Sequence, residues 1–390
     1  MFRIYGLLLL GLLTACGSTD EARPGAGGTA GAGGSAGAGG GGGGAATGGT
    51  GGAAGSGGKS ASCVALDGKL QAALDGARAQ TGSRDAALAV TTPECGSVTY
   101  VSGASGLTGS ELFRIGSVTK PYVATVVLQL VAEGKLSLDD KLDAWVTGVP
   151  NGSAITVRML LNHTSGIFNY TTDPTFLAEP QKKRTPGELV QLAASHGAVD
   201  PPGSKWNYSN TNYICLGIIA EKVGGKGIAE QIRARVLTPQ NLDATFFDGQ
   251  ETLVGTLAPG FSKSGEDSTY ALDPSGPWAA GSMVATPADA AAFVRALAEG
   301  KLLAAAEQTA METGVPAPSG PVSYGLGLQM LDASITGGAG KAYGHGGSIN
   351  GYHTQAFHFR ETQTTIVSIV NQDGSEPNDV TAAALTALFP

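Results

Sequence analysis

The sequence predicts an α+β (mixed α/β) fold, in which an antiparallel sheet is flanked by N-terminal and C-terminal helices and a mostly helical domain is inserted. Two observations predict this architecture. Apolar and polar residues alternate with period two, as in half-buried strands, near both ends of the part of the chain that can fold. Helical periodicity broken by Pro and Gly loops fills the middle, so a sheet assembled from both termini encloses a helical insertion.

The first predicted elements are a helix and a β-hairpin. Residues 64–80 carry apolar side chains at helical spacing, and Gly82 follows as a stop signal. Residues 86–92 and 97–102 have the composition of strands and flank the turn-forming residues 93–96. The hairpin supplies the N-terminal half of the predicted sheet.

The helical insertion spans about residues 121–285, and a second pair of strands follows it. Helical periodicity predicts four helices in and around the insertion, over residues 117–133, 186–196, 210–224 and 286–299. Residues 353–359 and 364–370 alternate on either side of a polar turn, and residues 379–389 form a terminal helix. These strands complete the sheet that the hairpin begins.

The extreme N-terminus is typical of a secretory leader, with Arg3 before an apolar run at residues 7–13. The four residues that end at Cys16 (LTAC) resemble the lipobox of bacterial lipoproteins, in which the cysteine becomes the acylated first residue. This implies a discarded signal peptide over residues 1–15 and an exported lipoprotein of the cell envelope. Ser18 favours the outer membrane or periplasm. The alternative is an ordinary signal peptide cut nearby, with Cys16 lost or incidental.

A glycine-rich tether is predicted over residues 16–60. From Gly17 to Ser60 there is no Val, Ile, Leu, Met or aromatic residue, and 21 of the 61 glycines of the chain lie there. Such a segment cannot bury a core and stays disordered, with a root-mean-square reach of roughly 35 Å. The folded domain, residues 61–390, would then lie a few nanometres from its membrane, contacting it through the lipid anchor only.

Charge and cysteine content exclude several classes of function. A net charge of −8 and a pI near 5.2 argue against a nucleic-acid partner. The cysteine spacings match no tetrahedral zinc pattern, so no metal site is predicted. Cys63 and Cys95 flank a predicted helix and strand whose ends can meet, which leaves a disulfide and two free thiols as open alternatives. Cys215 lies in an apolar run, as a buried cysteine does.

A serine and a lysine stand three residues apart at a predicted helix start, in the segment 117–120 (SVTK). At that spacing Ser117 and Lys120 project from the same helix face, within hydrogen-bond reach. A serine hydroxyl becomes a nucleophile when a neighbouring base takes its proton, and a desolvated lysine can be that base. The helix N-terminus stabilises the oxyanion formed on attack.

Two further segments carry functional groups. Tyr208 and Asn210, in the segment YSN, precede an apolar helix; a tyrosine can shuttle protons beside an ammonium, and an asparagine amide can bind a peptide bond. Residues 345–348 (HGGS) open the C-terminal strand pair. Glycines there let a substrate lie against the strand edge, and the Ser348 N–H can supply a second oxyanion donor.

The three segments together resemble the motifs of the penicillin-recognising serine hydrolases, which include class C β-lactamases, soluble serine DD-carboxypeptidases and related esterases. They occur in the order serine-lysine, tyrosine-asparagine, strand motif, and the resemblance covers nearly all of residues 64–390. Supporting segments are 155–166, 278–283 and 324–328. The resemblance implies the β-lactamase/transpeptidase-like fold, with the site between the sheet edge and the helical region.

The family pattern implies a role for each matching residue. Ser117 is the nucleophile, Lys120 its activating partner and Tyr208 the general base and acid. The implied substrate-binding residues are Asn210, Trp278, Gln329, His345, Gly346, Gly347 and Ser348. His163 is expected to be structural, and His196, His353 and His358 receive no role.

The implied reaction is acyl transfer to Ser117 without a metal or organic cofactor. The matches are most similar to DD-carboxypeptidases, whose substrate is a peptidoglycan stem peptide ending in D-Ala-D-Ala. Two departures favour an esterase or amidase on neutral acyl groups as the alternative: Gln329 replaces an arginine that holds the substrate carboxylate, and Gly346 replaces a threonine. A β-lactamase comes third. The contrary class is an envelope-tethered module that binds penicillin or wall fragments without turnover.

His345 stands where many relatives carry lysine. If its cationic form contacts substrate, activity should depend on pH between roughly 5.5 and 7.5, because a histidine has an ordinary pKa near 6.5.

Overall fold

The structure is a computed structural model that describes residues 59–317 and 320–390. The signal peptide, Cys16 and nearly all of the tether lie outside the described residues, so these remain predictions. No helix within the described ranges is long and apolar enough to cross a membrane.

The secondary structure follows the predicted order. The helices are α1 (Ala61–Thr81), α2 (Thr119–Ala132), α3 (Val157–Leu161), α4 (Pro174–Ala178), α5 (Pro186–Ala194), α6 (Asn210–Gly224), α7 (Ile228–Ile232), α8 (Pro287–Ala298), α9 (Ala305–Glu312) and α10 (Pro377–Leu388). The strands are β1 (Asp85–Thr92), β2 (Gly96–Gly103), β3 (Phe113–Arg114), β4 (Thr245–Phe247), β5 (Met283–Ala285), β6 (Val315–Pro316), β7 (Val322–Tyr324), β8 (Gln329–Leu331), β9 (Ala342–Ile349), β10 (Tyr352–Phe359) and β11 (Thr364–Val370).

The main sheet has eight antiparallel strands in the order β2-β1-β11-β10-β9-β8-β7-β6. It joins the two ends of the chain, because β1 pairs with β11 and Ala87 lies opposite Ile369. The predicted assembly of one sheet from both termini is confirmed. The α+β class is confirmed with it.

Helices cover both faces of this sheet. On one face α1 packs against α10, and a core that includes Leu70, Leu74, Leu88 and Val380 lies beneath them. On the other face α8 crosses β10 and β11, and Ala87, Ala89 and Val367 belong to the larger core there. Alternate residues of β1 thus enter different cores, which follows from the period of two in a strand.

The inserted region is mostly helical, as predicted, but it also borders a small second sheet. Strands β3, β5 and β4 pair in that order and contain only two or three residues each. Periodicity cannot identify strands of that length from sequence. The small sheet matters for the site because it leads directly into the segment that carries Ser117: Ile115 N donates to the carbonyl of Met283 at 3.1 Å.

One further difference concerns a sequence prediction, and one alternative left open by the sequence is decided. Residues 345–348 do not open the C-terminal strand pair but lie inside β9, a separate strand that pairs with β10 on one side and β8 on the other. Because β9 contains three glycines and a histidine, its composition is not typical of a strand, and it was not identified as one from the sequence. Cys63 and Cys95 are joined in a disulfide that ties the start of α1 to the turn of the hairpin.

Candidate active site

Ser117 lies in a 3-10 turn (Gly116–Val118) that leads into α2, at the floor of a cavity. Its Oγ accepts hydrogen bonds from Lys120 Nζ at 2.8 Å and from Tyr208 OH at 2.9 Å. The spacing of three residues brings the Lys120 side chain within hydrogen-bond distance of Ser117, as the sequence predicts. Tyr208 arrives from a distant loop, so the fold adds the second contact.

Lys120 is a buried cation with no solvent exposure. Besides Ser117 Oγ, its Nζ donates to Asn210 Oδ1 and to the carbonyl of Ala280, each at 2.8 Å. Three acceptors match the three N–H donors of an ammonium, which is the condition for burying one. The Nζ also lies 4.9 Å from the centroid of the Tyr208 ring. Lys120 therefore touches both oxygen-bearing side chains through which a proton can move.

Asn210 occupies the first position of α6 and is held on both sides. Its backbone N–H donates to Asn169 Oδ1 at 3.0 Å, and its Nδ2 donates to Thr171 Oγ1 at 3.1 Å. With Oδ1 accepting from Lys120, the orientation of the amide is assigned by its partners. Asn210 both anchors the lysine and lines the cavity.

Two glycines let strand β9 approach the serine turn. Gly116 has a positive φ of 51°, and a Cβ built on it would lie 2.8 Å from the carbonyl oxygen of Ser348. A Cβ on Gly347 would lie 2.0 Å from the carbonyl oxygen of Ile115 and 3.0 Å from the Ser117 nitrogen. Side chains at these positions would force the strand away. Gly347 of the HGGS segment, together with Gly116, thus serves close backbone packing around Ser117.

His345 is buried behind this site, with 1% of its surface exposed. Its Nε2 lies 2.8 Å from Tyr324 OH, which lies 3.2 Å from His163 Nε2. His163 Nδ1 accepts from the Ser209 N–H, so His163 Nε2–H donates to Tyr324, and Tyr324 donates to His345. His345 Nδ1–H then donates to the carbonyl of Gly346. This series of hydrogen bonds lies behind Tyr208, whose ring centroid is 4.2 Å from that of His163.

The proposed pH switch at His345 is wrong. Burial and then the nearby Lys120 cation lower the pKa of His345 to about 3. The same two causes hold the pKa of His163 well below its ordinary value. His345 is therefore neutral from pH 5.5 to 7.5 and cannot replace the charge of a lysine.

We expect His345 to make the folded protein sensitive to acid instead. Below pH 6.5 the unfolded chain binds a proton at this histidine, while the folded protein with its pKa of about 3 does not. Stability is therefore complete above pH 6.5 and is lost as the pH falls toward 3. His345→Gln keeps a donor and an acceptor without titrating. Between pH 7.5 and 5.0, the loss in free energy of unfolding in urea should be about 2 kcal/mol smaller in the variant. Equal losses would contradict the buried neutral histidine.

The cavity beside Ser117 has a volume of about 400 Å³. Of the predicted site residues, Ser117, Asn210 and Ser348 line it. One wall is apolar and consists of Tyr170, Phe176, Leu177, Leu272 and Pro277. The cavity is thus large enough for an amino-acid side chain and has a polar floor.

Several predicted substrate-binding residues lie outside this lining. Trp278 is 4% exposed, and its ring packs where a Cβ on Gly217 would approach within 2.7 Å. The buried Gln329 accepts the Gly346 N–H with its Oε1 at 2.9 Å. Gln329 therefore braces two neighbouring strands instead of reaching for a substrate carboxylate. Trp278 and Gln329, which were predicted to contact the substrate directly, therefore have a structural role instead.

Sequence reasoning missed His353 and Asp373, which line the cavity next to Ser348. Ser348 and His353 are opposite residues of β9 and β10, and Ser348 Oγ lies 2.6 Å from His353 Nδ1. His353 Nε2 lies 3.1 Å from Asp373 Oδ1. Cross-strand pairing is the signal that could have found them, but it requires the correct register.

The arrangement can carry out nucleophilic catalysis by its side chains. Across residues 59–317 and 320–390, no group of three or more His, Cys, Asp or Glu side chains is placed to hold a metal ion. Ser117 has two proton-carrying neighbours, a helix start behind it and an open cavity in front of it. This set of contacts fits the geometric requirements for an activated serine.

Comparison with known proteins agrees with this chemistry. Penicillin-binding protein 4* of Bacillus subtilis (strain 168) is 25% identical over 283 residues, or 68% of this chain, and the chain spans 61% of that relative. A D-stereospecific amidohydrolase from Streptomyces sp. is 35% identical with a TM-score of 0.74, covering 81% of this chain and 98% of its own. The D-amino acid amidase from Ochrobactrum anthropi SV3 is 28% identical with a TM-score of 0.75, covering 83% and 98%.

The match to a family covers almost the whole folded region. The beta-lactamase family model aligns with residues 67–389, a range that includes the serine-lysine pair, the tyrosine and strand β9. Because the fold, the order of the motifs and the geometry around Ser117 agree with this match, the chain belongs to the beta-lactamase family, and it is a serine hydrolase of the superfamily that also includes the penicillin-binding proteins.

Proposed function

We propose that this protein hydrolyses amide bonds at the carbonyl group of a D-amino acid, through an acyl-enzyme on Ser117. The observation that carries the proposal is the pair of contacts to Ser117 Oγ, from Lys120 Nζ at 2.8 Å and Tyr208 OH at 2.9 Å, at the floor of the cavity. An oxygen held in this way can lose its proton while it attacks a carbonyl carbon.

In the first step the Ser117 oxygen bonds to the substrate carbonyl carbon and its proton passes into the lysine-tyrosine pair. We propose that attack proceeds from the form in which Tyr208 has lost the phenol proton that it donates to Ser117 Oγ in the structure, and that this phenolate accepts the serine proton; the Lys120 cation, whose Nζ lies 4.9 Å from the ring centroid, supports this assignment. The carbonyl oxygen gains negative charge, and we assign its stabilisation to the backbone N–H groups of Ser117 and Ser348, whose backbones approach closely at Gly116 and Gly347.

In the second step the C–N bond breaks and Tyr208 returns the proton to the departing amine. Water then attacks the acyl-enzyme, Tyr208 takes a proton from it, and the Ser117 oxygen is protonated as the acid leaves. The atoms balance without a cofactor: one water is consumed for each amide bond broken. Asn210 holds Lys120 in place throughout through Oδ1.

A D-amino-acid amide is favoured as substrate class for two reasons. The structural relatives with the highest coverage described above carry the names D-stereospecific amidohydrolase and D-amino acid amidase. The cavity also has an apolar wall for a side chain, whereas the three positions at which relatives carry a lysine, an arginine and a threonine offer neither a positive charge nor a hydroxyl here. His345 is neutral, Gln329 is bonded to Gly346, and Gly346 has no hydroxyl.

DD-carboxypeptidase action on D-Ala-D-Ala peptides is the second candidate. It is favoured by Lys263, whose side chain lines the cavity, because an ammonium there can face a terminal carboxylate. The similarity to a penicillin-binding protein supports the same reading. In both candidate reactions Ser117 attacks the carbonyl of a D-amino acid. The leaving group is ammonia or an amine for the amidase and D-alanine for the carboxypeptidase.

The test compares three substrates with the purified full-length protein: D-phenylalanine amide, L-phenylalanine amide and acetyl-D-Ala-D-Ala. Ammonia release from the D-amide that exceeds release from the L-amide by at least tenfold supports the proposal. D-alanine release from the peptide with no ammonia release supports the carboxypeptidase. Turnover of none of the three, together with no acylation of Ser117 by an activated ester, would overturn both and favour a binding module.

A further inference from the structure

Ser348, His353 and Asp373 form a hydrogen-bonded line along the polar side of the cavity. Ser348 and His353 face each other across β9 and β10, where cross-strand side chains lie close together. The distances are 2.6 Å from Ser348 Oγ to His353 Nδ1 and 3.1 Å from His353 Nε2 to Asp373 Oδ1. Asp373 Oδ1 also accepts the Gly351 N–H at 2.9 Å, which holds the carboxylate in this place.

The line determines which way the Ser348 hydroxyl points. A carboxylate accepts hydrogen bonds, so the nitrogen of His353 that faces Asp373 carries the proton. When the ring is neutral, Nδ1 then has no proton and can only accept. Ser348 must donate its single hydrogen to His353, and only the lone pairs of its oxygen remain for the cavity.

Other charged groups act on this part of the cavity. Burial raises the pKa of the Glu376 carboxyl, and the His353 ring lowers it only when that ring is protonated. Lys263 lines the same side and lies beside Gly374, where a Cβ would meet its side chain at 3.2 Å. A substrate ammonium would meet both the Lys263 cation and the Asp373 carboxylate here, whereas a neutral N–H group needs no compensating charge. We therefore take a neutral N–H group as the complement to Ser348.

We propose that Ser348 is a subsite for an N–H donor of the substrate, and that His353 and Asp373 are the positioning residues that give its oxygen this polarity. The inference rests on the proposed function for the identity of the substrate and names the group that the substrate presents: an amide N–H on either side of the attacked carbonyl. A terminal carboxylate would meet lone pairs instead of a donor at this oxygen.

The test measures a preference rather than an activity. Two substrate pairs differ by one N–H group: N-acetyl-D-phenylalanine methyl ester against its N-methyl analogue, and D-phenylalanine methylamide against the dimethylamide. The first pair varies the donor on the acyl side and the second varies it on the leaving side. A third comparison, D-phenylalanine methyl ester against the N-acetyl ester, separates an ammonium from a neutral N–H.

In the full-length protein, kcat/KM should favour the N–H member of one pair, and His353→Phe should reduce that preference about fivefold to tenfold, the size of one hydrogen bond. Ser348→Ala should reduce it equally. In the Ser348→Ala background His353→Phe should then change nothing further, because it acts through that hydroxyl. A general structural defect would slow both members of a pair and leave their ratio unchanged. A preference that survives within twofold in both single variants would overturn the proposal.

A measurement without substrate separates this inference from the proposed function. In ¹⁵N spectra of the histidine side chains at pH 8.0, His353 should show protonated Nε2 and unprotonated Nδ1, and Asp373→Asn should increase the form protonated on Nδ1. The resonance is assigned by its loss in His353→Phe. Protonated Nδ1 in the unaltered protein would overturn the inference even if the amides are hydrolysed. The expected tautomer with no amide turnover would reject the proposed function alone.

Discussion

Replacing Ser117 by alanine is expected to reduce kcat/KM for D-phenylalanine amide by about four to six orders of magnitude, as the loss of an activated serine does in other hydrolases. Ser117 Oγ is the atom that both Lys120 Nζ and Tyr208 OH contact. Alanine removes the only atom at this position that can form the acyl-enzyme, while the rest of the cavity stays in place. The residual rate would reflect substrate binding and backbone donors alone.

The measurement is ammonia release under saturating and subsaturating substrate, with Ser153→Ala as the matched control. Ser153 is exposed on a turn remote in sequence from the site, so its loss should leave the rate within twofold. Mass spectrometry after brief mixing with an activated D-phenylalanine ester should find the acyl group on the peptide that contains Ser117. Retention of more than a hundredth of the rate in Ser117→Ala would assign the nucleophile elsewhere.

Replacing Lys120 by methionine is expected to reduce kcat/KM by about three orders of magnitude, within the range of proton-transfer catalysis. Methionine has a similar length and removes only the ammonium. Ser117 then loses its neighbour at 2.8 Å, and Tyr208 loses the cation beside its ring. The effect should fall on kcat, because Lys120 lies beneath the serine and does not line the cavity.

The stability of the same variant should change much less than its activity. The Asn210 and Ala280 oxygens lose their donor, which costs about 1–3 kcal/mol for each, while a buried charge is no longer desolvated. The opposing effects should leave the free energy of unfolding within about 2 kcal/mol of the starting protein, measured in urea. Lys69→Met, at an exposed position on α1, is the control. A Lys120→Met protein with more than a tenth of the activity would show that Tyr208 acts without the lysine.

Four of the eight strands of the main sheet (β1, β2, β10 and β11) and the flanking helices could be predicted because their residues repeat over long enough segments. The structure has α6 at Asn210–Gly224 and β11 at Thr364–Val370, the same bounds as the sequence prediction. Strand β9 and the small sheet of β3, β4 and β5 could not be found in the same way. Glycine-rich or three-residue strands have no period, and only their pairing partners stabilise them.

The site shows the same division at the level of single residues. Ser117 and Lys120 could be paired from sequence because a helix start determines their distance. His345 and His353 could not be ranked correctly. The sequence predicts substrate binding by His345, because this residue lies in a motif, and it predicts no role for His353. Burial removes the charge of His345, whereas strand register places His353 beside Ser348 at the cavity.

The sequence by itself determined the α+β class, the order of the elements and the three segments that meet around Ser117, because local spacing and hydrophobic periodicity act over a few residues. Only the tertiary structure decided which side chains face the cavity, which histidines are neutral, and that Gln329 braces β9. These properties depend on burial and on partners that are distant in sequence. Tyr208 contacts Ser117 from 91 positions away, and Asp373 reaches His353 because β10 pairs with β11. Solvent exclusion and strand register arise only when the whole chain has folded.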